Sequence, residues 1–235
     1  MLGPLLASLL LLQQPTLVDV ALDPGHSRAD VGASGYGLRE YQLTLDLASR
    51  VKQRLEAQHL TVRLTREDDQ PLTPLLHPAA DDDIQTEQEA RIAAGGPARI
   101  FVSLHFNGGP TALRGTETYY NPERAEDASS NDAALASALQ HEVVAALSDE
   151  AGYQAIDRGV KSDLLAGKPY GHFFSLRGPE PSALIENLFL SNPSDAAALH
   201  DDATLDALAD GCTQGILDYF SLSAQGVREY FASVD

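Results

Sequence analysis

The clearest periodic signal in the sequence is helical, because apolar side chains recur every four residues in two separate stretches. These side chains are Leu43, Leu47, Val51 and Leu55 in the first stretch, and Leu135, Leu139, Val143 and Leu147 in the second. Side chains at this spacing lie on one face of an α-helix and favour burial of that face. We therefore predict a helix with Glu40 in its first turn, a second over residues 132–147, and a helical Ala/Leu-rich region from Ser194 onward.

Short apolar or β-branched runs, bounded by Gly, Pro or Asp, predict the strands. The predicted strands are residues 17–22, 60–65, 99–104, 115–120, 173–176 and 183–186. Residues 67–85 are rich in Asp and Pro and show no clear period, so we expect a surface loop there. Thr86 and Glu89 form a capping-box pattern, which predicts a short helix that ends at Ala94.

Strands that alternate with helices are typical of an α/β domain. The chain of 235 residues is long enough for one well-buried core, and it contains no internal repeat or low-complexity linker. We predict a single α/β domain over residues 17–235, built on a mixed, mainly parallel sheet that is flanked by helices on both faces.

The N-terminal residues have a different character from the rest. Residues 2–12 form an apolar run that is too short to span a bilayer but long enough for the hydrophobic part of a secretory signal. No Lys or Arg precedes this run, and no small-x-small cleavage site follows it before Pro15 and Thr16. Two interpretations of residues 1–16 stay open: a signal segment for export to the cell envelope, periplasm or outside, or an apolar extension that packs on the domain.

Charge and cysteine content exclude several classes of function. The 34 acidic and 16 basic residues give a formal net charge of −18, and no basic stretch offsets it. Such a field repels a phosphate backbone, so we expect no nucleic-acid partner. Cys212 is the single cysteine, which excludes an intramolecular disulfide and a four-cysteine zinc site. Its Ala/Leu-rich surroundings predict a buried small side chain.

Four side chains suggest chemistry by their position. His26, His105 and Glu186 each stand at or just beyond the C-terminal end of a predicted strand. Ligands of open α/β sheets bind at those ends, so the three can converge although they are far apart in sequence. Glu40 follows His26 across a Gly-rich loop and can fold back to join them. Two imidazoles and a carboxylate are a known catalytic zinc set that leaves a position for water.

A structural interpretation of the same residues stays open at this point. A histidine at a strand end is often simply hydrogen-bonded, and Glu40 can merely favour the positive end of its helix. Glu186 is harder to explain in this way, because a carboxylate in an apolar strand is seldom fully buried unless it is paired or bound to metal.

Several segments, taken together and in order, resemble the zinc-dependent N-acetylmuramoyl-L-alanine amidases of bacterial envelopes. The segments are VALDPGHS (20–27), GLREYQLTLDLASRVKQRLE (37–56), LTRED (64–68), RIFVSLHFN (99–107), GTETYY (115–120), RGVK (158–161) and ALIENLFLSNP (183–193). The resemblance extends from about residue 17 to residue 220. It implies a mixed or mainly parallel sheet flanked by helices, in agreement with the pattern above.

The resemblance also implies an activity and a site. His26, Glu40 and His105 take the places of the ligands of one zinc ion, and Glu186 takes that of the catalytic glutamate. The expected reaction is cleavage of the amide bond between N-acetylmuramic acid and L-alanine in peptidoglycan, whose glycan strand and stem peptide are the expected partners. We expect no integral membrane span, and the sequence identifies neither further substrate-binding residues nor a protein activator.

Some positions depart from the family pattern. Ser27 replaces a common Gly, Phe106 replaces a small residue, and Asn187-Leu188 replaces a small residue followed by Gly. From their size, Phe106 and Leu188 are expected to narrow or reshape the groove. The stretch 121–152 is long enough to raise the question of a helix that blocks the groove.

Three alternatives to the amidase hypothesis remain at this stage. The chain can be a zinc peptidase that acts on another peptide bond, or a wall-binding or regulatory protein that keeps the fold without activity. It can also be an α/β protein whose strand-end histidines and glutamates are structural.

Overall fold

The computed structural model of the protein describes residues 16–76 and 81–233. The strands are β1 (Val18–Pro24), β2 (Ser34–Gly35), β3 (Leu38–Arg39), β4 (Val62–Leu64), β5 (Ala98–Asn107), β6 (Thr116–Tyr120), β7 (Asp157–Ser162) and β8 (Ser182–Phe189). The helices are α1 (Glu40–Ala57), α2 (Asp81–Gly95), α3 (Glu126–Asp149), α4 (Pro193–Leu199) and α5 (Asp202–Ser233). Strands and helices alternate along most of the chain, as the sequence predicts.

Six of the strands form one mixed sheet in the order β4-β1-β5-β8-β6-β7. Neighbours among the first four are parallel, whereas β6 runs antiparallel to β8 and β7 runs parallel to β6. The short strands β2 and β3 form a separate antiparallel pair between β1 and α1. The prediction of a mixed, mainly parallel sheet is therefore confirmed.

Helices α1, α3 and α5 cover one face of the sheet, which we call the core face. Its apolar cluster joins every second residue of β1 and β5 to the predicted helical stripes, including Leu47 of α1 and Leu139 of α3, both fully buried. Cys212 of α5 lies in the same cluster and is also fully buried, as predicted. This face has the helix-on-sheet packing that the four-residue repeats indicate.

The opposite face is covered by α2 and by residues 163–176, and we call it the site face. The C-terminal end of α2 approaches the sheet so closely that a Cβ on Gly95 would lie 3.2 Å from the side chains of Ala21 and Phe101. A small second apolar cluster forms further along the sheet, from Tyr119, Phe173, Leu176 and Leu184. Helices thus lie on both faces, as predicted.

Several local predictions are wrong on the site face. Helix α2 begins at Asp81, so Thr86 lies inside it and donates a hydrogen bond to the Asp82 carbonyl instead of capping it. Asp81, Asp82 and Asp83 stabilise the positive end of this helix. The predicted strand 173–176 is a 3₁₀ turn (Phe174–Leu176), because its apolar residues pack on the sheet without pairing to it.

Residues 121–152 do not form a helix that blocks the groove, which their length had raised as a question. They contain α3, which packs against α5, β6 and β8 on the core face and so does not block the site face. Residues 1–15 lie outside the described part of the chain, and only Thr16 of the N-terminal segment lies within it. The two interpretations of residues 1–16 therefore stay predictions. Among the described helices, none combines the length and apolar character needed to cross a bilayer.

Candidate metal centre

His26 lies just after the end of β1, in a backbone conformation that is rare for a residue with a side chain. Its φ is 60°, in the left-handed region. Arg91 of α2 stabilises this turn, since its guanidinium donates hydrogen bonds to the carbonyls of Pro24 (2.7 Å) and His26. Nδ1 of His26 lies 2.7 Å from a carboxylate oxygen of Asp30, which fixes the ring and turns Nε2 toward Glu40.

Glu40, the first residue of α1, connects the two histidines. One of its carboxylate oxygens lies 3.3 Å from Nε2 of His26, and the other lies 2.9 Å from Nδ1 of His105. The same carboxylate accepts hydrogen bonds from the backbone N–H groups of Ala33 (2.6 Å) and Phe106 (3.0 Å). Because these contacts come from three separate segments, the position of Glu40 is fixed by the fold.

Two glycines leave the space that this arrangement needs. A Cβ on Gly25 would lie 2.5 Å from Nε2 of His105, and a Cβ on Gly32 would lie 2.6 Å from Cδ2 of His26. Gly32 also has a φ of 68°, which other residues rarely adopt. Any larger residue at either position would displace a histidine ring.

The donor atoms of His26, Glu40 and His105 all lie within 4.8 Å of one another. Two imidazole nitrogens and a carboxylate oxygen at this separation suit a divalent ion with nitrogen and oxygen ligands, and zinc fits this donor set well. Asp30 adds the outer carboxylate that orients metal-binding histidines in known sites. The residues present therefore fit the ion that the family resemblance implies.

The ionisable groups of the cluster perturb one another. Burial disfavours the charged imidazole of His26, but the carboxylates of Glu40 and Asp30 outweigh burial and raise its pKa. For His105, burial dominates and lowers the pKa despite the contact with Glu40. Burial alone would raise the pKa of Glu40, but its two histidine neighbours and backbone hydrogen bonds lower it. The result is an ionised carboxylate between two imidazoles, ready to bind a cation.

Glu186 lies in β8, between His105 of β5 and Glu117 of β6 in the register of the sheet. Its Oε2 is buried without a hydrogen-bond partner among the described residues. Burial raises the pKa of this carboxyl well above its usual range, and the charges of Glu40 and Glu117 raise it further. It shares a cavity of about 140 Å³ with both histidines and Asp30.

Glu117 has a contrasting environment, although it lies directly beside Glu186. It accepts hydrogen bonds from Asn107 (2.7 Å), Tyr119 (2.9 Å), Arg158 (2.7 Å) and Lys161. Burial tends to raise the pKa of Glu117, but these donors lower it overall. Two adjacent carboxyls with pKa values shifted in opposite directions are typical of acid–base sites.

All four residues predicted from the sequence meet at this site. His105 and Glu186 lie inside their strands, not beyond their ends, but strand alternation still directs both side chains to the site face. The expected effect of Phe106 and Leu188 is wrong, because both are buried in the apolar cluster of the core face. Since His105 faces the site, its neighbour Phe106 must face the opposite side of the sheet.

The sequence analysis missed the supporting residues Asp30, Arg91 and Glu117. Asp30 follows His26 by four residues, but the intervening loop has no period that would indicate a contact. Arg91 acts on backbone carbonyls, which leave no trace in a side-chain pattern. Glu117 lies inside a correctly predicted strand, two residues before the buried Tyr119. Because residues two apart in a strand face the same side of the sheet, this spacing was a signal for the orientation of Glu117.

An α/β sheet that carries two histidines and a glutamate beside an unpartnered buried carboxyl is an arrangement typical of single-metal hydrolases. Comparison with known proteins specifies the family. The sequence model of the N-acetylmuramoyl-L-alanine amidases matches residues 20–218. The chain belongs to this family.

Individual relatives agree with this assignment. The chain is 30% identical over 209 residues to the germination-specific N-acetylmuramoyl-L-alanine amidase of Bacillus subtilis, a match that covers 86% of this chain and 79% of that protein. The catalytic domain of the amidase CwlV from Bacillus (Paenibacillus) polymyxa superimposes with a TM-score of 0.64 and 28% identity, over 87% of this chain and 98% of that domain. The CwlD amidase of Clostridioides difficile, solved in complex with the GerS lipoprotein, superimposes with a TM-score of 0.71 over 87% of this chain and 99% of that chain. Its identity of 23% supports the fold alone.

Proposed function

We propose that this protein is a zinc-dependent N-acetylmuramoyl-L-alanine amidase of peptidoglycan. It hydrolyses the amide bond between the lactyl group of N-acetylmuramic acid and the L-alanine of the stem peptide. The observation that carries the proposal is the convergence of the donor atoms of His26, Glu40 and His105 within 4.8 Å, where both histidines line one cavity with the buried carboxyl of Glu186. Family membership supports the choice of substrate.

His26, Glu40 and His105 hold the zinc ion in this proposal. When bound, zinc lowers the pKa of a coordinated water to about 7 and polarises the carbonyl of the scissile amide. Asp30 keeps the His26 ring oriented through the 2.7 Å contact with Nδ1. The backbone donors of Ala33 and Phe106 hold the carboxylate of Glu40 in place.

Glu186 acts as the general base and then the general acid. Its buried Oε2 has no hydrogen-bond partner among the described residues, so it can take a proton from the attacking water and pass it to the leaving amine. Glu117 stays ionised because four side chains donate hydrogen bonds to it, so it does not compete for the proton. The two carboxyls therefore divide the roles of proton carrier and fixed charge.

Peptidoglycan as substrate implies that the protein acts in the cell envelope, as a wall-turnover enzyme or autolysin. Among relatives, CwlD was solved with a lipoprotein partner. We assign no activator surface to the described residues of this chain.

Digestion of purified peptidoglycan by the zinc-loaded protein tests the proposal directly. We expect mass spectrometry to detect released peptides with a free L-alanine amino group, and glycan strands that keep the lactyl carboxyl. Chelation should abolish release, and added zinc should restore it. Fragments cut at another peptide bond would instead favour the zinc peptidase alternative, and a zinc-free protein without products would favour the structural one.

A further inference from the structure

The cavity that contains Glu186 has a second wall, formed by residues that follow β7. Lys168 and Tyr170 line it together with Phe173 and Ser175. The wall is shaped by a turn in which the N–H of Gly171 donates a 3.0 Å hydrogen bond to the carbonyl of Lys168. Both Gly167 and Gly171 adopt positive φ values, of 65° and 78°, so the turn depends on glycine.

Among the described residues that line this cavity, Lys168 is the only Lys or Arg. No carboxylate of the described residues lies within ion-pair distance of its ammonium, and the centroid of the Phe173 ring lies 5.9 Å from Nζ. Other cations near the site are paired, since both Arg158 and Lys161 bind Glu117. Lys168 is an exposed residue at the cavity, and its ammonium has no carboxylate partner among the described residues of a chain with 34 acidic and 16 basic residues.

Ser175 is a second observation that points to a ligand on this wall. It is 3% exposed, and its hydroxyl has no hydrogen-bond partner among the described residues. Buried polar atoms are nearly always hydrogen-bonded, so an unpartnered one that faces a cavity is expected to bind what enters it. A charged donor and a neutral donor thus lie on the same wall.

We propose that Lys168 recognises a free carboxylate of the stem peptide and makes the enzyme selective for acidic over amidated peptides. This inference rests on the proposed amidase function. In that substrate the lactyl carboxyl is part of the scissile amide and the sugar is neutral, so the anionic groups belong to the peptide. Phe173 and Ser175 line the same cavity as Lys168 and complete a pocket for a carboxylate-bearing residue.

The test compares two synthetic substrates on the zinc-loaded enzyme: N-acetylmuramoyl-L-alanyl-D-glutamate, and the same compound with its carboxylates converted to carboxamides. A charge-assisted hydrogen bond is worth about tenfold in kcat/KM, so we expect the parent to prefer the acidic compound by about that factor. In Lys168→Gln the ratio of the two kcat/KM values should fall to about 1, mainly through the KM of the acidic substrate. Lys168→Glu should reverse the preference.

Lys52→Gln is the matched control, because it removes the same charge from α1, where Lys52 pairs with Glu56. It should keep the parental ratio. The proposal is overturned if the parent shows no preference, or if Lys168→Gln loses activity on both substrates by the same factor, which would mean that Lys168 acts through Glu186. Failure of the amidase function itself looks different, because the parent would then release peptide from neither compound.

Discussion

The two faces of the sheet differ in how their residues are held. The core face consists of long helices that bury regular apolar stripes against β1, β5 and β8. The site face has one helix of weak amphipathic character, two 3₁₀ turns (Asp163–Ala166 and Phe174–Leu176) and loops, and it concentrates buried charges such as Glu40, Arg91 and Glu117. The core face therefore stabilises the fold, whereas the site face is less stable than an apolar face would be because it holds buried charged groups in fixed positions.

The largest effect that we predict is a loss of turnover without a loss of stability, caused by a substitution of Glu186 on the site face. Glu186→Gln should lower kcat by about 10²–10⁴-fold, because it removes the carboxylate that we propose as the general base while keeping the shape of the side chain. It should keep one bound zinc, and its free energy of unfolding should be unchanged or higher, since a buried unpartnered carboxyl is removed. Steady-state kinetics, metal analysis and urea unfolding measure the three quantities.

Glu56→Gln is a suitable control for that variant, because Glu56 is exposed on α1, where it pairs with Lys52. Parental turnover in Glu186→Gln would contradict the catalytic assignment.

A smaller effect is expected for the outer carboxylate of the metal centre. Asp30→Asn should weaken zinc binding by about 10–100-fold, because an amide orients the His26 ring less firmly than a carboxylate does. Competition with a chromogenic zinc chelator measures the affinity. Asp46→Asn, at an exposed ion pair of α1, should leave it unchanged. Equal affinities in both variants would mean that Asp30 does not support the metal.

On the core face we predict a loss of stability without a loss of zinc. A Cβ on Gly211 of α5 would lie 2.6 Å from the Val143 Cα of α3, so Gly211→Ala forces these helices apart. The cost should be about 1–3 kcal/mol of unfolding free energy, although Ala is the better helix former. Urea unfolding measures it, with Gln214→Ala on the exposed side of α5 as the control. A stabilised Gly211→Ala would show that the two helices are not in such close contact.

The same contrast explains which parts of the structure could be predicted from the sequence. The four-residue repeats of α1 and α3 reflect burial against the sheet, so they reveal both helices directly. Helix α2 has no such stripe, because it is short of apolar residues and its start is stabilised by three aspartates, and its first five residues were assigned to a loop. The apolar residues 173–176 pack as a 3₁₀ turn, which periodicity over four residues does not distinguish from a strand.

For the site, the residues at the ends of the predicted strands could be identified from the sequence, although His105 and Glu186 lie inside the observed strands. The contacts among the site residues could not be identified in this way. His26, His105 and Glu186 follow from the topology of parallel strands. Asp30 and Lys168 lie in loops, where only the folded chain shows that one orients an imidazole and the other faces the cavity. The inward orientation of Phe106 follows from strand alternation once His105 is placed on the site face, whereas the size and apolar character of Phe106 alone do not reveal it.

The most direct test of the central claim is the zinc content per chain of the purified protein and of two matched histidine variants. The account predicts one zinc ion per chain in the parent and in His141→Ala, whose side chain is 80% exposed on α3. It predicts a loss of that zinc in His105→Ala, because one of three ligands is removed. A parent that binds no zinc, or a His105→Ala variant that keeps it with parental affinity, would contradict the account.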